Sequence, residues 1–390
     1  MQSEAVMILS ACRTPTGAFC GALASLSASE LGATVLAGAL AASRLDADDI
    51  DEVLMGCVLP AGLGQAPARQ AALGAGLPAL VGATTLNKVC GSGLKAVMLA
   101  YDMIRAGSAR RLLAGGMESM SNAPHLLLKS RRGWRMGSVA VEDHMMLDGL
   151  EDAYENEPMG VYAERCAHHY GFTRAEQDAF ALASLERALA SRGAGEIVPV
   201  AVKGRGGEAA VSDDEPPSRA SPEKIAALKP AFVAGGTVTA ANSSSIADGA
   251  AALALAPLSE VERLGLTPRA RIVGHASHAQ APGWFTTAPL GAIDKLLTRI
   301  GWTVDDVDLF EVNEAFAVVV LAAMRDLKLP HDKVNVRGGA CALGHPIGAS
   351  GARILVTLLA ALEERGLRRG VASLCIGGGE AVALAVERVV

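Results

Sequence analysis

Four short stretches of this 390-residue sequence carry side chains able to do covalent or acid–base chemistry. TTLNKVCGSGLKAV, residues 84–97, sets Cys90 just before Gly91, Ser92 and Gly93 and an apolar run of helical character. A helix start presents unpaired N–H groups and partial positive charge, which lowers the pKa of a cysteine there and favours the nucleophilic thiolate. The flanking glycines permit a sharp turn and the close approach of another group. On this segment alone a small buried hydrophobe is an equally open role for Cys90. EVNEAFA interrupts an apolar strand with Asn313 and Glu314, which must find polar partners or water. GGACALGHPIGASG holds His345, and SLCIGGGEA ends a strand at Cys375 with Gly377 two residues on. Taken singly, His345 and Cys375 read as structural residues.

An internal repeat changes that reading. DADDIDEVLMG resembles TVDDVDLFEVN, with Asp49 and Asp306 257 residues apart. CGSGLKAVMLAYDMIRAGSARRLLAGGMES resembles GASGARILVTLLAALEERGLRRGVASLCIGGGE, with Ser92 and Ser350 258 residues apart. Two independent matches at one offset indicate two similar halves. In each, a Ser-Gly pair opens a helix apolar on nearly all sides, a basic turn follows, and a short apolar strand ends in glycines. Ser92 and Ser350 are expected N-caps, and both helices are expected inside the protein against a mixed, largely parallel sheet. Halves packed about a pseudo-twofold axis bring the loops before these helices together, and with them Cys90 and His345. Cys375 ends the strand after the second helix and can join them.

Residues 120 to 248 have a different character. TRAEQDAFALASLERALASRG is a surface helix with a capping box from Thr173 and Glu176, and the rest is basic or loop-like. The segment reads as a lid-like insertion on the first half. Lys129, Arg131, Arg132, Arg135, Arg219 and Lys224 are its candidates for phosphate contacts.

Composition narrows the class. Hydrophobic residues make up 51% and aromatics 4%, with 43 glycines, the profile of an α/β protein built from small side chains. The longest apolar runs are too short to span a bilayer. A net charge of −6 argues against nucleic acid as a partner. Seven cysteines without a CxxC pair argue against a disulfide framework and a zinc site. With neither a signal-peptide pattern at the N-terminus nor a peroxisomal address at the C-terminus, the expected location is cytoplasmic.

NKVCGSG, GGMESMSNAP, NEAF, GGACALGHPIGASG and CIGGG, in that order, resemble the segments of the thiolase family over nearly the whole chain, and within it the acetyl-CoA acetyltransferases, or acetoacetyl-CoA thiolases. The resemblance implies a five-layered α/β/α/β/α fold of two pseudo-twofold-related repeats. The N-terminal repeat would be 1–119 plus 249–270, the inserted CoA-binding loop domain 120–248, and the C-terminal repeat 271–390. It implies that Cys90 is the acylated nucleophile, His345 its activating base and Cys375 the acid/base acting on the second substrate. Asn313, through a water, and His345 would hold one thioester oxygen, and the N–H groups of Cys90 and Gly377 the other. Ser244 resembles a serine contacting the CoA pantetheine, and Met159 and Phe285 resemble acyl-pocket positions, for which plain packing is an equal reading. The resemblance further implies acetyl-CoA, acetoacetyl-CoA and CoA as substrates without a separate cofactor, a place in fatty acid metabolism, and a homotetramer.

Two departures concern acyl preference. Pro158 stands before Met159 where many thiolases carry a histidine, and GGGEA places Glu380 and Ala381 where many have a small residue. A ketoacyl synthase is the nearest competitor, but decarboxylation makes a carbanion without a second thiol, which leaves Cys375 unexplained. A noncatalytic acyl-CoA carrier would have no use for the four polar residues together. A dinucleotide site lacks its GxGxxG after a strand.

Overall fold

The structure is a computed structural model describing residues 4–192, 195–204 and 207–389. Strands with alternating destinations define its layers. In Leu112–Ser119, Leu112 and Ala114 point to one cluster and Leu113 and Met117 to another. In Arg369–Ile376, Ala372, Leu374 and Ile376 point to the first cluster and Val371 to a third. Period-two alternation with apolar residues on both faces requires cover on both sides. The shared cluster is filled by two central helices, Ser92–Ala106 and Ile347–Glu364. Ala28–Ser43 and Pro67–Gly74 cover the outer face of the first half, and Ala288–Ile300 and Ala317–Asp326 that of the second. The result is the expected five-layered α/β/α/β/α arrangement.

The strands form one hydrogen-bonded path in the order Leu309–Val312, Arg369–Ile376, Glu380–Arg388, Ala270–Ala279, Val6–Arg13, Ala247–Pro257, Leu112–Ser119, Glu52–Gly56 and Gly82–Leu86. The halves join at a seam of three residue pairs, Val6 with Ile272, Met7 with Arg271 and Ile8 with Ala270. Among the described strands of this sheet, parallel pairing is confined to Leu309–Val312 with Arg369–Ile376 and to Glu52–Gly56 with its two neighbours. The expectation of a largely parallel sheet is therefore corrected. The other pairings are antiparallel because these strands follow hairpins or long returns rather than crossover helices.

The central helices touch backbone to backbone. A Cβ on Gly93 would lie 2.8 Å from the Ala352 nitrogen, and one on Gly351 2.4 Å from the Leu94 nitrogen, so only glycine fits either place.

The chain leaves the sheet after Ser119 and returns at Ala247–Pro257, where Ser119 pairs with Asp248. The helix Arg174–Ala190 between them has the expected Thr173–Glu176 capping box. The lid was expected on the first half. Only part of it lies there: Val200 joins the first half's outer cluster, whereas Tyr162, Ala163, Cys166 and Ala167 pack with Phe285, Phe316 and Cys375 of the second. The apolar face of the helix Met159–Tyr170 has its complement on the second half.

Candidate active site

The two central helices and the strand Arg369–Ile376 end at one place, and the loops there carry the chemistry. The segment Asn87–Ser92 is closely knit. Val89 N–H donates to Asn87 Oδ1 at 2.8 Å, Gly91 N–H to the Lys88 carbonyl at 3.0 Å, and Lys88 N–H to Ser92 Oγ at 2.8 Å. Ser92 Oγ donates in turn to the Val89 carbonyl at 2.6 Å. These bonds hold Val89, a β-branched residue, at a left-handed φ of 46°, a costly conformation that aims Cys90 out of the turn. Ser92 is the first helical residue and Gly91 the N-cap, without a side-chain cap. The expected Ser92 cap is corrected: its hydroxyl shapes the nucleophile loop instead. Ser350 is likewise inside its helix, which begins at Ile347.

Cys90, His345, Cys375, Gly377, Ser244, Met159 and Phe285 all line one cavity of about 370 Å3. Apart from Ser243 and Ser245 the remaining walls are apolar, with Met120, Met146, Leu150, Phe232, Phe316 and Ile347 among them. Phe285 meets Tyr162 and Phe316 edge to face at centroid distances of 6.3 and 6.4 Å, so its ring both packs and forms wall. A Cβ on Gly377 would lie 3.7 Å from Met159 Cε, which places that methyl group over the glycine turn.

Burial pushes the Cys90 thiol up to about 11, against the backbone N–H groups of Gly377 and Cys90 itself, which point at the sulfur and favour the thiolate. The lowered pKa expected from the helix end is thus corrected, because desolvation outweighs the donors. Those same two N–H groups are a ready pair for an oxygen anion. Burial, with Cys90 nearby, raises the Cys375 thiol well above its ordinary value. Burial and the Arg353 guanidinium bring His345 down to about 3, so its ring is neutral at rest.

The tautomer of His345 follows from its neighbours. Ser350 Oγ donates to the Pro346 carbonyl at 3.0 Å, leaving its lone pairs for His345 Nδ1–H at 2.5 Å. Nε2 then carries the lone pair, and Asn313 Nδ2 faces it at 3.5 Å. Arg353 Nη2 donates to Asn313 Oδ1 at 3.3 Å, which sets that amide's orientation. Asn313 is 1% exposed and stands behind His345 rather than in the cavity wall. Glu314 binds Ser184 Oγ at 2.7 Å, Asn335 Nδ2 at 2.9 Å and Cys341 N–H at 3.0 Å, tying the insertion to the second half.

Four contributors escaped sequence reasoning. Ser350 and Arg353 lie one and two turns into the second central helix, and Glu311 lies 3.4 Å from Arg353. Glu118 accepts from Val58 N–H at 3.0 Å, Leu59 N–H at 3.2 Å and Gly348 N–H at 2.8 Å, pinning the start of that helix to the first half. For Arg353, Glu311 and Glu118 the available signal was a charged side chain inside an otherwise apolar helix or strand, which must be partnered.

The basic candidates separate. Arg219 and Lys224 line a second cavity of about 580 Å3, whose wall shares Ala240, Ser245 and Ile246 with the first. Lys129, Arg131, Arg132 and Arg135 are exposed and line neither. Among the described residues, no group of three or more His, Cys, Asp or Glu is placed to hold a metal ion. No helix there is long and apolar enough to cross a membrane.

Two family models match this chain, the thiolase N-terminal domain over residues 6–259 and the thiolase C-terminal domain over 266–388. An acetyl-CoA acetyltransferase of Allochromatium vinosum is 50% identical across 99% of this chain and 100% of that protein. The crystal structure of a Bacillus anthracis acetyl-CoA acetyltransferase superposes with a TM-score of 0.96 at 40% identity, covering 99% of both chains. An Ascaris suum thiolase solved in complex with coenzyme A gives 0.94 at 42% identity, over 99% of this chain and 100% of that one. Duplicated halves, a nucleophile loop on one, a histidine loop and a cysteine–glycine turn on the other, and these matches over the full length place the chain in the thiolase family.

Proposed function

We propose that the chain is an acetyl-CoA C-acetyltransferase, which condenses two acetyl-CoA to acetoacetyl-CoA and CoA and, in reverse, cleaves short 3-ketoacyl-CoA. The observation that carries this reading is the convergence of two thiols, an imidazole whose Nε2 carries the lone pair and two N–H donors on one largely apolar cavity.

In the first half-reaction His345 Nε2 takes the Cys90 proton as the sulfur attacks the thioester carbonyl. The N–H groups of Cys90 and Gly377 hold the oxyanion, a contribution worth several kcal/mol in a water-poor site. The departing CoA sulfur takes its proton from Cys375, leaving acyl-Cys90, a Cys375 thiolate and a protonated His345. The acyl group stays a thioester, so the step is reversible. In the second half-reaction the Cys375 thiolate removes a proton from the α-carbon of acetyl-CoA. His345 Nε2–H, with Asn313 acting through a water, holds the enolate oxygen. The α-carbon then attacks acyl-Cys90, whose departing sulfur recovers the proton from His345. CoA and acyl-CoA are the only small molecules consumed or formed.

Met159, Phe285 and Phe316 favour short acyl groups by limiting the cavity's depth. Ser244 meets the pantetheine in the catalytic cavity, and Arg219 and Lys224 meet the phosphates in the adjoining one. Such an activity belongs to cytoplasmic acyl-CoA and fatty acid metabolism. Association of copies as a homotetramer is supported by Leu127, Leu128, Trp134, Met136 and Val141, all exposed on the inserted segment. It is also supported by the strand Gly82–Leu86, which ends the sheet with one edge unpaired among the described residues. Thiolysis of acetoacetyl-CoA by purified protein with free CoA tests the reading. Two acetyl-CoA per turnover is expected, and no product above the blank would overturn it.

A further inference from the structure

We propose that Lys88 and Glu380 form a positioning pair that sets the separation of the two oxyanion-binding N–H groups, those of Cys90 and Gly377. The proposal rests on the reading of the site as an acyl-transfer centre.

The two donors come from opposite halves of the chain, so something must hold one loop against the other. On the first side, the bonds within Asn87–Ser92 make that loop a single body whose only adjustable relation is to its surroundings. On the second side, Gly377, Gly378 and Gly379 form the turn of the terminal hairpin, in which Ile376 pairs with Glu380. Gly378 and Gly379 both take φ of 87°, and the Gly379 carbonyl accepts from Gln280 N–H at 2.9 Å.

Side-chain contacts join these bodies, with Val89 Cγ1 3.8 Å from the place of a Cβ on Gly377 and two further contacts that bear on their separation. Ile376 packs against Gly91, where a Cβ would come within 2.4 Å of its Cδ1. The ammonium of Lys88, two residues before Cys90, pairs with the carboxylate of Glu380, three residues after Gly377. The Ile376 contact limits how close the loops come and the ion pair limits how far they part. Neither Lys88 nor Glu380 lines the catalytic cavity, so the pair acts through the N–H groups and not on substrate.

The test compares full-length wild type with Lys88→Met, Glu380→Gln and the swapped pair Lys88→Glu with Glu380→Lys. Acyl-enzyme formation from acetyl-CoA is followed by quenched intact-protein mass spectrometry, with kcat, KM for CoA and Tm measured alongside. Either single change is expected to slow acylation about threefold to fivefold, the ceiling for a partly exposed ion pair. Tm should stay within about 2 °C and KM for CoA should be unchanged. The swap should return the rate to within about twofold of wild type, as a pairwise coupling requires. About 0.5 M salt should slow wild type and leave Glu380→Gln unaffected. Unchanged acylation in both single variants overturns the proposal, as does a swap no faster than the slower single. A raised KM for CoA in Lys88→Met alone, with normal acylation, also overturns it and makes Lys88 a phosphate contact. Inactive wild type would instead sink the acyl-transfer reading, so the two failures are distinguishable.

Discussion

His345 Nδ1 and the Ser350 hydroxyl stand 2.5 Å apart, with the hydroxyl proton committed to the Pro346 carbonyl. The helix that Ser350 belongs to thereby chooses the tautomer of a ring in the loop before it. Which ring nitrogen is protonated is set by the bond the other makes.

Ser350→Ala should free the ring to take either tautomer and to tilt. We expect kcat for thiolysis to fall about 10- to 100-fold, the scale of a small misplacement of a reacting group, with little change in KM. Steady-state kinetics beside a circular dichroism spectrum checks this, and wild-type kcat would show that the bond is incidental.

The two thiols should divide the half-reactions. Cys90→Ala abolishes acyl-enzyme and turnover together. Cys375→Ala still gains an acetyl group at Cys90, more slowly, while condensation falls about 10²- to 10⁴-fold, the usual worth of a positioned acid/base. Intact mass reads the first step and acetoacetyl-CoA the whole; acetyl found on Cys375 would reverse the assignment.

Alkylation should follow burial. With the Cys90 thiol pushed up to about 11, only a small thiolate fraction exists at pH 7, and the rate should climb steadily from pH 7 to 10. Exposed Cys20 is expected to react before Cys90. Iodoacetamide labelling with peptide mapping across that range decides the matter, a plateau at neutral pH for Cys90 being the contrary result.

Glu118 should make stability depend on pH. Burial raises its carboxyl to about 7, against three backbone donors. A carboxyl whose folded value exceeds the unfolded one contributes fully below the unfolded pKa and loses that contribution as pH rises through the folded value. Between about pH 4.5 and 7 its share, at most on the order of 3 kcal/mol, should therefore decline. Glu118→Gln, compared with wild type by urea denaturation at several pH values, should flatten that decline. Parallel curves for the two proteins would remove Glu118 as its source.

Arg219→Ala and Lys224→Ala should raise KM for CoA about tenfold each, the worth of a charge-assisted hydrogen bond, with kcat nearly kept. Arg131→Ala and Arg132→Ala should leave KM unchanged. Equal effects in both sets would mean that the phosphates lie elsewhere.

The repeat offset exposed the two halves because the buried central helices keep their apolar pattern regardless of what the loops before them do. Cys90, His345 and Cys375 each read singly as a structural residue or leave that role open, and they were legible only together, because the repeat brings the loops that carry them to one place. Strand direction was not legible: Ala247–Pro257 and Glu380–Arg388 are apolar on both faces, which is what parallel strands show, yet they run antiparallel. The pKa of Cys90 was beyond reach as well, because helix-end donors are visible in sequence and the surrounding desolvation is not. Ser350 was legible only as a cap, since its choice of partner depends on how the His345 loop folds back over the helix.

The backbone contacts of Gly93 with Ala352 and of Gly351 with Leu94 act as a length standard for the whole catalytic apparatus. Nucleophile and base head two rods that touch main chain to main chain, and the smallest increment available to evolution there, one methyl group, is already larger than the gap. Drift in substrate preference has no route through the spacing of those rods. Cavity-lining residues such as Met159 and Phe285 can be exchanged without moving either rod, so the shape of the cavity can vary while nucleophile and base stay in gauge.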